Sequence, residues 1–234
     1  MDDLKADAMN KERGNLTGYD CPLCLNKGYI VKVKDHTVVT VECECMTKRR
    51  NLKKLEESGL KEIIETYRFD NYETLKPWQR NAKKKAQDFV EKENGWFVIC
   101  GTPGTGKTHL CTAICGAFLE KNKAVRYMVW REDAPKLKAC VNERDQYEKM
   151  MNELKSADVL YIDDFWKGSV TDADINLSFE LLNSRYNNRS KITIISGEKS
   201  IEQMLDIDQA VGSKIYELSK GFVILTPEEN YRLR

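Results

Sequence analysis

No run of apolar residues in this 234-residue chain approaches the roughly 20 needed to cross a bilayer, which argues against a membrane-spanning helix. The opening Met1-Asp2-Asp3 is acidic and polar, so a secretory leader is not expected there. Both absences point to a reducing, cytoplasmic setting. An excess of charge of one sign is missing as well. The chain has 38 basic and 37 acidic residues and a net charge of +1, so its overall electrostatics make no case for nucleic-acid binding. Internal repeats and low-complexity tracts are absent. Only two histidines occur, His36 and His109; they read as a hairpin-turn residue and a helix packing residue. What remains, 41% apolar and 32% charged, is ordinary for a globular protein with one sizeable α/β core and a small appendage. Two basic clusters interrupt the even charge: Lys48, Arg49, Arg50, Lys53 and Lys54, and then Lys83-Lys84-Lys85. They read as solvated helix faces in preference to phosphate contacts.

Against this plain background one octapeptide stands out. Gly101-Thr102-Pro103-Gly104-Thr105-Gly106-Lys107-Thr108 fits G-x-x-x-x-G-K-[ST], the loop that wraps a nucleoside triphosphate. Its glycines let the backbone curl so that successive N–H groups face the β-phosphate. Lys107 is expected to reach the β- and γ-phosphates, and the Thr108 hydroxyl to coordinate Mg²⁺. The setting agrees. Trp96 to Cys100 reads as a buried strand, and Leu110, Ala113, Ile114, Ala117 and Phe118 recur at helical spacing after the loop.

Further strands are expected at 125–130, 159–162, 192–195 and 222–225, with helices around 78–90, 143–156 and 173–187. Five strands alternating with helices predict a parallel sheet covered on both faces. Upstream, residues 1–20 read as a loose arm or a short helix, residues 28–33 and 37–43 as a β-hairpin, and residues 52–66 as a helical connector.

The strand Val159-Leu160-Tyr161-Ile162 runs into Asp163-Asp164. Catalytic groups of a parallel sheet sit at the carboxyl ends of strands, so this doublet is expected beside the phosphate loop. Asp163 then holds Mg²⁺ and Asp164 polarises the attacking water. Cys21-x2-Cys24 and Cys43-x-Cys45 place four thiols on two turns joined by the hairpin. Structural Zn²⁺ is the leading reading, since so small a segment needs a staple, with an iron–sulfur centre or a redox dithiol as alternatives. Cys100, Cys111, Cys115 and Cys140 read as small buried hydrophobes.

The run Gly104 to Leu110, the Asp163-Asp164 doublet, Gly212-Ser213-Lys214-Ile215-Tyr216-Glu217 and the terminal Asn230-Tyr231-Arg232-Leu233 together resemble DnaC/DnaI-type helicase loaders, AAA+ ATPases of the IstB-like superfamily. Ser58-Gly59-Leu60 and Phe69-Asp70-Asn71-Tyr72 are also similar to the family's approach to the loop. The likeness runs from about residue 46 to the C-terminus, and the cysteine-bearing N-terminus resembles Firmicutes and phage members. The resemblance implies a P-loop AAA+ αβα core with a five-stranded parallel sheet and, from the few residues after the last strand, no C-terminal helical lid. It implies a zinc-ribbon-like helicase-interaction domain at 1–50, a linker at 51–75 and an ATPase domain at 76–234. ATP, self-association on ATP binding, a hexameric replicative helicase and single-stranded DNA follow as expected cofactor, behaviour and partners. Lys214 stands where the family usually has an arginine finger, which keeps the charge but loses the planar fork. Glu198 falls at the sensor position often held by Asn, and Arg232 is a candidate second sensor. An IstB-like transposition helper and a non-hydrolysing ATP-bound adaptor are the competing readings.

Overall fold

The computed structural model describes residues 2–34, 37–57 and 60–227, with the side chains of 2, 3, 54, 55, 57 and 60–62 left aside. Asp35, His36, Ser58, Gly59 and the Asn230–Leu233 segment with Arg232 lie outside the described residues. The chain divides into two compact units, Met1–Lys54 and Leu55–Arg234.

The first unit carries helix α1 (Asp2–Lys11), strands β1 (Tyr29–Lys34) and β2 (Thr37–Glu42), and the start of helix α2 (Cys45–Glu57). The hairpin is antiparallel, with Tyr29 opposite Glu42 and Lys34 opposite Thr37. The N-terminal segment is helical over 2–11, and one side chain ties it down. The Asn10 amide donates to the Val31 carbonyl at 2.8 Å and accepts from the Val31 N–H at 2.9 Å, imitating a neighbouring strand. The basic cluster of α2 is solvent-exposed at Arg50 and Lys53, as expected, while Lys48 and Arg49 are half-buried against neighbouring residues. Arg49 donates to the carbonyls of Thr17 and Tyr19 and to Asn26 Oδ1, while Arg50 grips Glu42 through both nitrogens at 3.0 and 2.9 Å. Lys48 lies over the Tyr19 ring at 4.3 Å.

The second unit contains α3 (Leu60–Thr66), α4 (Pro77–Lys92), β3 (Trp96–Cys100), α5 (Lys107–Glu120), β4 (Val125–Val129), α6 (Trp130–Ala139), α7 (Arg144–Ser156), β5 (Val159–Phe165), α8 (Asp172–Asn187), β6 (Ile192–Gly197), α9 (Ile201–Ile207), α10 (Gln209–Leu218) and β7 (Val223–Leu225). The five strands form the expected parallel sheet in the order β4-β5-β6-β3-β7. Its central strands are apolar without alternation because both faces are buried. Phe97, Ile99, Val159, Tyr161, Ile192 and Ile194 pack beneath Phe89 of α4 and Leu110, Ile114 and Phe118 of α5. Trp96, Val98, Leu160, Ile162 and Ile195 point the other way, toward Leu137, Leu154, Leu181 and Ile215. Successive side chains of one strand thus feed two separate cores.

Three helices were not anticipated. Trp130, expected as the last residue of a strand, instead opens α6, whose Asp133 carboxylate accepts the Val129 N–H at 3.0 Å. Helices α9 and α10 begin on capping side chains, Ser200 bonding the Gln203 N–H and Asp208 the Val211 N–H. Among the described residues no helix is long and apolar enough to cross a membrane.

Candidate functional site

The phosphate loop joins β3 to α5 at the carboxyl edge of the sheet, and its shape is set by contacts made from below. Gly101 has φ +122°, and a Cβ there would meet the Thr226 hydroxyl at 2.5 Å and the Thr226 carbonyl at 2.8 Å, so only glycine fits. Thr226, just past β7, donates its N–H to the Cys100 carbonyl at 2.8 Å, and its hydroxyl lies 3.2 Å from that of Thr105. The Thr105 hydroxyl in turn donates to the Thr102 carbonyl at 3.0 Å. Gly106, at φ +83°, turns the chain into α5, whose first N–H groups then face the loop.

Lys107 is buried, and its ammonium donates to the Gly101 and Thr102 carbonyls at 2.8 and 2.7 Å. Burial holds its pKa below the usual lysine value, partly offset by Glu198, Asp164 and Asp163. The Thr108 hydroxyl is 3.5 Å from Asp163 Oδ2. Asp163 is itself buried and bonded from three directions. Tyr127 donates to Oδ2 at 3.0 Å, the Asp164 N–H to Oδ1 at 3.0 Å, and the Ser196 hydroxyl also to Oδ1. Burial and the adjacent carboxylate push the Tyr127 phenol up, so it remains a donor. Two hard oxygen donors this close, one of them an oriented carboxylate, suit Mg²⁺.

The cleft above the loop, about 480 Å³, is lined by Lys107, Thr108, Asp164, Lys167 and Glu198. Its predicted members are therefore brought together, Glu198 among them, just beyond the end of β6. Lys167 was not foreseen: its ammonium sits 3.0 Å from Asp164 and 3.3 Å from Glu198. Burial opposes the charge of Lys167, but the two carboxylates outweigh it and raise its pKa. Tyr127, Ser196 and Thr226 were likewise missed. The available signal was a polar group in or just beyond an otherwise apolar strand. Lys214 is not part of this cleft; it lies on α10 with its ammonium 4.7 Å from the Phe179 ring and 3.2 Å from the Ala210 carbonyl. His109 packs as expected, stacked on Tyr67 at 4.7 Å, with Nε2 3.0 Å from the Arg68 carbonyl. Cys100, Cys111, Cys115 and Cys140 are buried, and burial raises the Cys100 thiol to about 11.

In the first unit the Sγ atoms of Cys21, Cys24, Cys43 and Cys45 all lie within 4.8 Å of one another. The pairs Cys21–Cys43 and Cys24–Cys45 are 3.8 and 3.5 Å apart. Four sulfurs at about 2.3 Å from one tetrahedral zinc would be about 3.8 Å apart, so the donor set fits that ion. Burial opposes ionisation at Cys24, Cys43 and Cys45. At Cys24 the Gly28 N–H, 3.4 Å away, and the facing thiols overcome it and bring the pKa down to about 6, while Cys43 is pushed up to about 12. Holding all four as thiolates would therefore require a cation between them.

A family model described as IstB-like ATP binding protein matches residues 30–218, most of the chain. The chain belongs to that family. Among its relatives, Bacillus subtilis (strain 168) YqaM is 29% identical over 82% of this chain and 65% of its own length, so this chain spans just under two thirds of that protein. The phage-like element PBSX protein XkdC of the same organism is 30% identical over 92% of this chain and 85% of its own. The replicative helicase loader DnaC of Escherichia coli (strain K12) is 27% identical over 76% of this chain and 74% of its own. A crystal structure of the DnaC helicase loader superposes with a TM-score of 0.59 over 70% of this chain and 98% of that one, at 24% identity. This IstB-like ATP binding protein thus combines a P-loop core with a four-cysteine cluster that precedes it in the sequence.

Proposed function

We propose that this IstB-like ATPase is a loader that grips a ring-shaped, hexameric replicative helicase and helps place it on single-stranded DNA. The observation that carries the reading is the likeness to DnaC over three quarters of both chains, joined to a complete phosphate site and a separate cysteine module. Residues 1–50 are assigned to helicase capture, 51–75 to a linker and 76–234 to the ATPase. The four thiolates would hold Zn²⁺ as a structural staple.

At the nucleotide site the loop N–H groups and Lys107 bind the β- and γ-phosphates. Thr108 and Asp163 would hold Mg²⁺, which supplies charge neutralisation on the triphosphate when bound. Tyr127 and Ser196 fix Asp163 in the orientation that this requires. Asp164 takes a proton from the attacking water, and Glu198 orients that water from β6. Self-association on ATP binding would let Lys214 act on the γ-phosphate of a neighbouring copy. A second reading, a transposition helper acting on duplex DNA, is compatible with the same IstB-like family match.

The test is capture of a co-expressed hexameric helicase by the full chain, followed by ATP-dependent helicase assembly on single-stranded circles. Zinc content is assayed in parallel, and Cys24→Ser serves as the module variant. Capture lost in Cys24→Ser together with about one zinc per chain supports the loader. No capture by the zinc-replete wild type sinks it, and stimulation by duplex DNA alone favours the transposition reading.

A further inference from the structure

Lys167 belongs to no motif, yet the chain goes to some length to aim it. β5 slips register against β6 between Ile162 and Phe165, and Asp164 and Trp166 both take φ +53°. Two non-glycine residues in the left-handed region within three positions are strained, and strain persists only where the surroundings over-determine it. They do so here. Trp166 is 1% exposed, stacks on Phe165 at 4.7 Å and donates its indole N–H to Ser178 at 2.8 Å. The Lys167 N–H closes the corner on the Asp164 carbonyl at 3.1 Å. With Trp166 locked on one side, Lys167 is directed to the other, where its ammonium bridges Asp164 and Glu198.

The charge balance of the cleft gives that bridge a purpose. Asp163, Asp164 and Glu198 face Lys107 and Lys167, so the acids exceed the bases by one before any triphosphate arrives. Deleting Lys167 doubles that excess. In a cleft partly shielded from water, that added negative charge repels an incoming polyanion.

We propose that Lys167 is a positioning residue of the ATPase site: it neutralises Glu198 and fixes the Asp164 carboxylate, so that a nucleoside triphosphate can settle against a wall carrying one acid too many. The proposal rests on the nucleotide reading of the site and not on the identity of the partner. Lys167 acts in cis, within the chain that binds the nucleotide, and independently of Lys214.

The test uses the full chain, with MgATP affinity by titration and steady-state turnover. Lys167→Met is expected to weaken MgATP affinity about 5- to 10-fold and to lower kcat. Lys167→Arg, which keeps the charge, should recover most of the affinity. Adding Glu198→Gln to Lys167→Met should restore affinity, because the acid that needed a counter-charge is gone. The kcat should stay low, since Asp164 still lacks its partner and Glu198 no longer orients the water. A merely structural lysine would not be rescued by removing a carboxylate. Unchanged affinity in Lys167→Met, no recovery in the double variant, or Lys167→Arg as impaired as Lys167→Met would each overturn the proposal. If the wild type binds MgATP no better than Lys107→Ala, the nucleotide reading falls first and takes this one with it.

Discussion

Arg185 offers the sharpest test of how this sheet is held, because it is fully buried and, among the described residues, hydrogen-bonded to uncharged oxygens in place of a carboxylate. Its guanidinium donates to the carbonyls of Leu154, Lys155, Ala157 and Ile192 at 2.9, 3.2, 2.9 and 2.6 Å, and to the Thr193 hydroxyl at 2.9 Å. Those acceptors lie where α7 ends and β5 and β6 begin, at the edge of the sheet away from the phosphate loop. Arg185→Met keeps much of the volume but strands at least three buried carbonyls. At about 1 kcal/mol or more for each lost partner, the expected destabilisation is roughly 3–5 kcal/mol. For a chain of this size each kcal/mol moves the melting temperature by about 2–4 °C, so Tm should fall by about 10 °C. Urea denaturation and thermal melting read the stability, and MgATP titration at a temperature where the variant is folded reads the site. Stability should drop while nucleotide affinity stays within about twofold, since distant, independent sites add. A melt within about 3 °C of wild type would refute the role given to the buried guanidinium. A large loss of affinity in a folded variant would refute its separation from the site.

Two further predictions address the loop and the acid limb of stability. Gly101→Ala forces a Cβ onto the Thr226 backbone at a φ that alanine rarely adopts, with about 1–3 kcal/mol of strain. MgATP affinity should fall at least about tenfold, and Thr226→Ala should not restore it, because the obstructing carbonyl remains; recovery in that double variant would show that the hydroxyl alone was at fault. Burial raises the Asp174 pKa, but Lys138 at 2.8 Å and the Thr171 hydroxyl and N–H more than offset it, leaving Asp174 below the ordinary carboxylate value. Its contribution is therefore present above the unfolded value of about 3.9 and is lost as pH falls through the lower folded value. Asp174→Asn should cost about 1 kcal/mol at pH 7 and flatten the acid side of a Tm-against-pH curve; an unchanged acid limb would contradict this.

The parts of this fold that showed in the sequence are those in which one residue class repeats under a single constraint. β3 and the first four residues of β5 are buried on both faces and so are unbroken apolar runs, and β6 is nearly so; α4 is buried on one face and keeps helical spacing through Ala82, Ala86, Phe89 and Val90. α6 escaped because Trp130 extends the apolar run of β4, and Pro135 reads as a break although the helix carries it. α9 and α10 are too short for periodicity to register, even though Ser200 and Asp208 announce their starts.

The functional site divides along a similar line. A motif specifies the groups that touch phosphate, because loop curvature fixes their spacing within one continuous segment. The groups that govern those groups come from other strands and become neighbours only through strand order. Tyr127 and Ser196 reach Asp163 because β4 and β6 flank β5, which no local pattern states. Lys167 is nearer in sequence but harder to foresee, since its aim depends on left-handed backbone at an aspartate and a tryptophan, where glycine would have been the signal. Glu198 raises the electrostatic demand of the cleft and Lys167 meets it. The two were invisible as a pair because only the folded sheet, which sets the ends of β5 and β6 side by side, brings the Lys167 ammonium to 3.3 Å from Glu198. An acid at position 198 therefore cannot be judged by itself. Whether it disables turnover depends on the lysine opposite, and a chain with the same phosphate loop and Glu198 but no cation at 167 should bind MgATP more weakly than this one.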